Sequence, residues 1–192
     1  MENFKSFVEQ QESGLIKLYH GGSMWETTPQ YFPAKKGRYE GGNGIYLTTS
    51  YETARKYAKG SKIVLAVYVK PDYKKIWDVL VPVQEMIDFL SSIRMKNKKK
   101  VIDAIKASVD RQNKTVLPAA ILNNLIVNFE AGSGEAGVLV NQFLVSKGVD
   151  AEVTNKGAED WLVVFNPRII VKWEKVKPSE MKPQDYHLPQ II

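Results

Sequence analysis

Tyr46 and Tyr57 are the first candidates for chemistry, because they lie eleven residues apart on either side of a tight strand–helix junction. The strand ends at residues 48–50, and Ser50 is a suitable cap for the helix that follows. A strand and a helix joined this tightly form a wedge in which the two rings can face each other. Two aromatic planes around a slot suit a flat heterocycle, since stacking supplies affinity and sets orientation. The structural alternative is that both rings only pack against the core or its rim.

His20 is the next candidate, because it stands at the end of an alternating strand, directly before Gly21 and Gly22. A strand-end histidine is ordinarily a turn residue, but its place upstream of the tyrosine pair makes it a candidate ligand. The chain has one other histidine, His187, and no cysteine. Disulfides, thiolate metal sites and a cysteine nucleophile are therefore excluded, and we expect no metal cofactor.

Glu159 and Asp160 are the acidic candidates, immediately before an apolar strand predicted over 161–165. Side chains of a strand alternate between its two faces, so Glu159 is expected to share a face with Trp161. Asp160 would need a bulge to reach that face. The ordinary alternative for both carboxylates is a solvated strand entry.

Strand patterns lie towards both ends of the chain, and helical patterns lie between them. Alternating or β-rich runs predict strands over 15–20, 45–50, 62–69, 76–79, 149–153, 161–165 and 169–173. Amphipathic spacing predicts helices directly after Ser50 and over 83–95, 97–110, 118–129 and 135–146. This order predicts the α+β class, with two antiparallel β-rich halves around a helical block.

The length of 192 residues indicates one domain with an insertion. We predict a single domain over 1–176, a helical insertion at about 80–147, and a proline-rich tail over 177–192. No apolar run reaches the roughly 18 residues that span a bilayer, and no signal core is evident, so we expect a cytoplasmic protein without a membrane partner. The net charge of +6 favours polyanionic partners without identifying them.

Three segments, residues 18–22, 44–58 and 148–170, together resemble the ADP-ribosyltransferases of the diphtheria-toxin and poly(ADP-ribose)-polymerase branch. The signature of this branch is His–Tyr–Glu, and the matching segments occur in the family's order. They cover about a third of the chain, and the last is similar to the closing strands of small bacterial and phage members. The resemblance implies a split antiparallel β-core with a helical insertion, and NAD as a co-substrate.

The resemblance also implies a role for each candidate. His20 would hydrogen-bond a ribose hydroxyl of NAD. The Gly21 backbone would hold the nicotinamide amide, because the missing side chain lets a ligand approach. Tyr46 and Tyr57 would sandwich the nicotinamide ring, and an acidic residue near 159–160 would accept a hydrogen bond from the 2′-hydroxyl of the nicotinamide ribose.

Two departures from the family pattern bear on these roles. Ala54 stands where the polymerase branch has a serine three residues before the second tyrosine, so the task of that hydroxyl is lost or passes to Ser50 or Thr53. Trp161 stands where the family usually has its acid, counting back from residues 165–167.

The position of the catalytic carboxylate is therefore open between two neighbours. Glu159 is favoured, because alternation puts it on the face of Trp161, and Asp160 is the second choice.

These roles predict a mono-ADP-ribosyltransferase that cleaves NAD, releases nicotinamide and transfers ADP-ribose to a nucleic acid (RNA or DNA) or a protein. Arg38, with Lys35 and Lys36, would clamp the NAD pyrophosphate or guide a polyanionic target. By analogy, the protein would be a toxin of a toxin–antitoxin system or a phage-defence effector, with an antitoxin protein as a further partner.

Three alternatives stay open. NAD-dependent RNA 2′-phosphotransferases share the fold but need several arginines around a phosphate, and the five arginines of this chain are spread widely. A non-catalytic basic module would bind RNA or a partner through the same aromatic residues. A degenerate transferase would bind NAD without releasing nicotinamide.

Overall fold

The computed structural model describes residues 14–27, 29, 41–112 and 114–176, and this part of the chain is a mixture of strands and helices. The α+β class predicted from the sequence is confirmed. The strands are β1 (Ile16–Gly22), β2 (Ile45–Thr48), β3 (Ile63–Val69), β4 (Leu80–Pro82), β5 (Val116–Pro118), β6 (Ala151–Asn155), β7 (Asp160–Val164) and β8 (Ile170–Lys175). The α-helices are α1 (Tyr51–Ala58), α2 (Val83–Ser92), α3 (Lys98–Gln112), α4 (Ala119–Asn128) and α5 (Glu135–Ser146).

Six strands form one sheet in the order β6-β7-β2-β1-β3-β8. β1 pairs antiparallel with β3 along its whole length, from Ile16 opposite Val69 to Gly22 opposite Ile63. β1 also pairs antiparallel with β2, at Tyr19 opposite Thr48, and β3 pairs antiparallel with β8. The order places β1 and β2, which carry His20 and Tyr46, side by side in the sheet.

The chain divides into two compact units. Of the described residues, the first unit holds 14–27, 29, 46–73 and 153–176, and the second holds 41–45, 74–112 and 114–152. All the candidate side chains from His20 to Asp160 that the structure describes belong to the first unit. The predicted tail, 177–192, lies outside the described residues, and the single domain over 1–176 stays a prediction.

One buried cluster of the first unit forms where α1 packs on the sheet. The buried side chains of α1 are Tyr51, Ala54 and Ala58, and their spacing of three and four residues puts them on one helix face. They pack with Tyr19 of β1 and with apolar residues of β3. The Tyr51 ring meets the Tyr19 ring edge to face, with centroids 5.8 Å apart.

The second unit contains α2, α3, α4 and α5, and each of these helices buries a pair of apolar side chains four residues apart. The pairs are Met86 and Leu90, Val101 and Ile105, Leu122 and Ile126, and Val140 and Leu144. This spacing is the signal that predicted four helices in this part of the chain, and those predictions are confirmed. Within the described ranges, no helix combines the length and the apolar character needed to cross a bilayer.

The short strands of the second unit differ from the prediction. The strand predicted over 76–79 is wrong, because the chain turns there and the Asp78 N–H donates to the Lys75 carbonyl at 3.0 Å. The strand begins only at Leu80, and β4 pairs antiparallel with β5, which was not predicted. Both strands end in a proline, Pro82 or Pro118, that is the N-cap of the following helix. The fixed φ of proline suits such a junction.

Candidate active site

The predicted junction between strand and helix is present in the first unit. β2 ends at Thr48 and α1 begins at Tyr51. The Ser50 hydroxyl oxygen accepts a hydrogen bond from the Thr53 N–H at 3.2 Å, so Ser50 caps α1 as predicted. Ser50 is buried, and a contact from it to NAD stays a prediction.

Three aromatic rings meet beyond this junction. The Tyr46 ring of β2 lies edge to face with the Trp161 ring of β7, with centroids 6.2 Å apart and an interplanar angle of 87°. The Tyr57 ring of α1 meets the same indole at 5.8 Å and 85°. Tyr57 is 58 % exposed, so a ligand can reach its ring from solvent. The two predicted stacking residues therefore share one neighbour, Trp161.

Glu159 is held next to these rings by two donors. The Trp161 Nε1–H donates to Glu159 Oε1 at 2.8 Å, and the Thr48 hydroxyl donates to Glu159 Oε2 at 3.2 Å. The Thr48 oxygen in turn accepts from the Ser50 N–H at 3.0 Å, which directs its proton towards the carboxylate. The expectation that Glu159 shares the side of Trp161 is met. Each carboxylate oxygen keeps a lone pair for a further donor.

Asp160 has different surroundings. Asp160 is 5 % exposed, and its carboxylate accepts a hydrogen bond from Asn155 Nδ2 at 3.0 Å. Its N–H donates to the Thr49 hydroxyl at 3.0 Å, and its carbonyl accepts from the Thr49 N–H at 3.0 Å. Burial and the nearby Asp160 charge together raise the pKa of Tyr73 to about 12. The structure thus gives Asp160 a place among buried groups, and a catalytic role for either carboxylate stays a prediction.

His20 is oriented by the backbone of the neighbouring strand. Its Nδ1–H donates to the Tyr46 carbonyl at 2.9 Å, which leaves the lone pair on Nε2. Burial lowers the pKa of His20 below the ordinary value of 6.5, and the hydrogen bond to Tyr46 opposes this only in part. At neutral pH the ring is therefore uncharged, and Nε2 is a hydrogen-bond acceptor. Gly22 makes room for the ring, since a Cβ there would lie 2.8 Å from Nε2.

Trp25 packs against the His20 ring and is itself contacted by Trp173. The Trp25 ring lies 4.7 Å from the imidazole, centroid to centroid, at an interplanar angle of 40°. Trp173 of β8 packs edge to face on Trp25 at 5.8 Å, and its Nε1–H donates to the Trp25 carbonyl at 2.9 Å. The imidazole is thus held by Trp25 as well as by the Tyr46 carbonyl.

Gly21 has a clear packing reason to lack a side chain. A Cβ at Gly21 would lie 1.7 Å from the carbonyl oxygen of Ala54 and 2.9 Å from the backbone nitrogen of Ala58. The space beside Gly21 is therefore filled by the backbone of α1. The reason given from the sequence, that the missing side chain lets a ligand approach, has to be replaced by the close approach of the helix. A contact between the Gly21 backbone and a ligand stays a prediction.

His20, Tyr46, Tyr57 and Glu159 come from four different segments of the chain and are linked through Trp161 and the Tyr46 carbonyl. His20 contacts Tyr46, and Trp161 contacts both tyrosines and Glu159. Arg38, the remaining predicted site residue, lies outside the described residues.

Two contributors were not predicted from the sequence. The first is Thr48, which is separated from Glu159 by 111 residues. The second is Trp25 beside His20, for which the sequence holds no signal. The strand register predicts Trp161 on the side of Glu159, but the sequence holds no signal for its contact with both tyrosines. No three His, Asp or Glu side chains group together as metal ligands would in the ranges that the structure covers.

Lys156 adds positive charge at the edge of this site. Its ammonium nitrogen lies over the Trp161 ring, 5.4 Å from the centroid, in the geometry of a cation–π contact. Lys156 and Glu159 both belong to the turn between β6 and β7, whose ends are joined by a hydrogen bond from the Lys156 N–H to the Glu159 carbonyl at 2.8 Å. The turn thus presents a cation to the ring face and a carboxylate to the Nε1–H of the same indole.

Comparison of the chain with protein-family models, with curated proteins and with solved structures finds no match in any of the three.

Proposed function

We propose that the protein is a mono-ADP-ribosyltransferase that cleaves NAD, releases nicotinamide and transfers ADP-ribose to a macromolecular acceptor. The observation that supports this most strongly is that Trp161 contacts Tyr46, Tyr57 and Glu159, while His20 is bonded to the Tyr46 carbonyl. His20, the two tyrosines and Glu159 are the residue types that the His–Tyr–Glu signature requires.

The described sheet is compatible with the split core of that family. One half would be β1, β3 and β8, and the other β2, β7 and β6, with the junction at Tyr19 opposite Thr48. The helices from α2 to α5 lie between β3 and β6 in the chain, where the family pattern would have its insertion.

The aromatic and imidazole groups would bind NAD at the nicotinamide end. Tyr46 and Tyr57 would stack on the nicotinamide ring, while the Gly21 backbone would hydrogen-bond its amide. His20 Nε2 is the acceptor left by the bond from Nδ1 to Tyr46, so it would accept a hydrogen bond from a ribose hydroxyl. Together these contacts would fix both the leaving group and the sugar.

Glu159 would supply the charge that the reaction needs. When the bond between ribose and nicotinamide breaks, its electron pair leaves with the nicotinamide, and positive charge develops on the ribose. A carboxylate held at the sugar stabilises this charge more in the transition state than in the ground state. The Glu159 oxygens are fixed by Trp161 and Thr48, yet each can still accept the 2′-hydroxyl. The nucleophile of the acceptor then bonds to the ribose carbon from which nicotinamide has departed.

The acceptor class follows only from charge. The net charge of +6 and the lysine over Trp161 favour an anionic acceptor, RNA or DNA, over a protein. In this proposal the protein acts as a toxin or a phage-defence effector, and a toxin would have an antitoxin protein as its partner.

The test uses purified protein and NAD labelled on the adenine side, offered to a total cell lysate that is then separated into protein, RNA and DNA. Label is expected in one fraction, and it should be absent with Glu159→Gln. Asp160→Asn is the matched carboxylate control, because it changes the neighbouring residue in the same way. Equal labelling by wild type and Glu159→Gln would remove Glu159 from the reaction.

A degenerate pocket that binds NAD without turnover is the second candidate, because Trp161 occupies the position at which the family usually has its acid. It predicts NAD binding by calorimetry with no nicotinamide release at high protein concentration. Nicotinamide release by the wild type that is lost in Glu159→Gln would exclude it.

A further inference from the structure

Trp161 is the one side chain in the described site that contacts both tyrosines and the favoured carboxylate. Its ring is nearly perpendicular to the Tyr46 and Tyr57 rings, at 87° and 85°. Its Nε1–H donates to Glu159 Oε1 at 2.8 Å. The single polar atom of this half-buried side chain is thus directed at the favoured carboxylate.

The carboxylate needs such support because of its place in the chain. Glu159 lies in the turn before β7, outside the paired part of the strand. A glutamate in a turn has several accessible rotamers, and only contacts from neighbouring side chains can select one of them. Thr48 fixes one carboxylate oxygen and Trp161 fixes the other.

The indole is itself fixed by its neighbours. Tyr46 of β2 and Tyr57 of α1 contact its ring, and the Lys156 ammonium lies over it. Its orientation therefore depends on the same two rings that are proposed to stack on nicotinamide. The position of Glu159 is in this way tied to the geometry of the slot.

We propose that Trp161 is a positioning residue that holds Glu159 at the distance from the tyrosine slot that the nicotinamide riboside half of NAD requires. This inference rests on the proposed function and adds to it a residue for which the family signature has no role. Trp161 stands where the family usually has its acid. Its indole instead orients the carboxylate of Glu159, two residues earlier on the same side.

The first variant is Trp161→Phe, which keeps an aromatic ring and removes the Nε1–H donor. We expect kcat for nicotinamide release to fall by about 10- to 100-fold, the scale of a misplaced catalytic group, while KM for NAD changes much less. The matched control is Trp77→Phe, which makes the same substitution at a tryptophan of the second unit that is 49 % exposed. Its kcat should stay close to that of the wild type.

The double variant Trp161→Phe with Glu159→Gln separates positioning from a general structural effect. If Trp161 acts through Glu159, the double variant should release nicotinamide no more slowly than Glu159→Gln alone, because the two changes remove the same contribution. Losses that multiply would show that Trp161 acts independently of Glu159 and would overturn the inference.

A second measurement does not depend on turnover or on the folding of a tryptophan variant. In ¹⁵N-labelled protein, the change Glu159→Gln should shift one indole N–H resonance strongly and leave those of the other three tryptophans in place. No shift of any indole resonance would overturn the inference.

The outcomes distinguish this inference from the proposed function. No nicotinamide release by the wild type would overturn both. Release by the wild type and equal release by Trp161→Phe would overturn the positioning role alone. Faster release or tighter NAD binding by Trp161→Phe would show that the indole obstructs the slot, which also contradicts the positioning role.

Discussion

Glu159 and Asp160 are neighbours in the chain but occupy two different environments. Glu159 is only partly buried and is held by two side-chain donors, Trp161 and Thr48, beside the aromatic rings. Asp160 is buried, accepts from Asn155 and exchanges two hydrogen bonds with Thr49. The comparison shows that two consecutive residues at the entry to β7 suit different tasks, because their side chains lie on different faces. The Glu159 carboxylate is suited to bind a ligand, and the Asp160 carboxylate is suited to stabilise the fold.

The largest expected effect is on turnover in Glu159→Gln. The amide keeps the size of the side chain but removes the negative charge, so nicotinamide release should fall by about 10²- to 10³-fold, while NAD binding stays nearly intact. Rates from single-turnover assays and affinities from calorimetry measure the two parts separately. A strong loss of nicotinamide release in Asp160→Asn, with Glu159→Gln still active, would assign the catalytic role to Asp160 instead.

The complementary change is Asp160→Ala, which should act on stability. It removes the buried acceptor of Asn155 and should lower the free energy of unfolding by about 1–3 kcal/mol. Urea denaturation measures this change, and Glu159→Ala is the control because its carboxylate is more exposed. Equal stability losses in the two variants would show that the two environments do not differ in the way described.

The pH dependence of NAD binding should report on His20, which, like Glu159, is proposed to bind the ligand. Burial holds the pKa of His20 below 6.5, so Nε2 should remain an acceptor as the pH falls through 6.5 and gain a proton only below that. NAD affinity should therefore decline at a pH below 6.5, and the decline should be absent in His20→Gln. The folded state binds this proton less readily than the unfolded chain, so the His20 contribution to stability is complete above pH 6.5 and is lost on acidification.

The smallest expected effect concerns Tyr73, whose pKa is raised in part by the charge of Asp160. Its hydroxyl is buried and has no hydrogen-bond partner among the described residues. Tyr73→Phe should change stability at pH 7 by no more than about 1 kcal/mol, because no hydrogen bond is lost. The wild type should lose stability between pH 10 and about 12, where the unfolded chain releases the Tyr73 proton first, and the variant should lose less. Parallel losses in both proteins would contradict a raised pKa at Tyr73.

Local patterns in the sequence were sufficient for most of the elements that position the site. The Ser50 cap and the register of Glu159 with Trp161 depend on neighbours within a few residues, and both are present. The paired apolar residues of the helices are equally local. Strands of three residues, β4 and β5, carry too few positions for alternation to show.

The contacts that complete the site depend on the order of the strands. The Thr48 hydroxyl reaches Glu159 only because β2 and β7 are neighbours in the sheet, and sequence spacing does not encode that pairing. Gly21 is a second case in which the sequence does not encode a non-local contact. A glycine in a sequence does not reveal whether a ligand or a helix lies beside it. Residue types therefore suggested the chemistry, while the non-local pairing determined which groups meet.

The contact between Gly21 and α1 also has a consequence for how the site comes apart when the first unit unfolds. β1 carries His20, α1 carries Tyr57, and the two elements meet backbone to backbone without a flexible side chain between them. Such a contact cannot loosen gradually, so His20 and Tyr57 are expected to separate only when the core of the first unit opens. Ligand binding and the protection of core amides from hydrogen exchange should then disappear together, as properties of one cooperative unit.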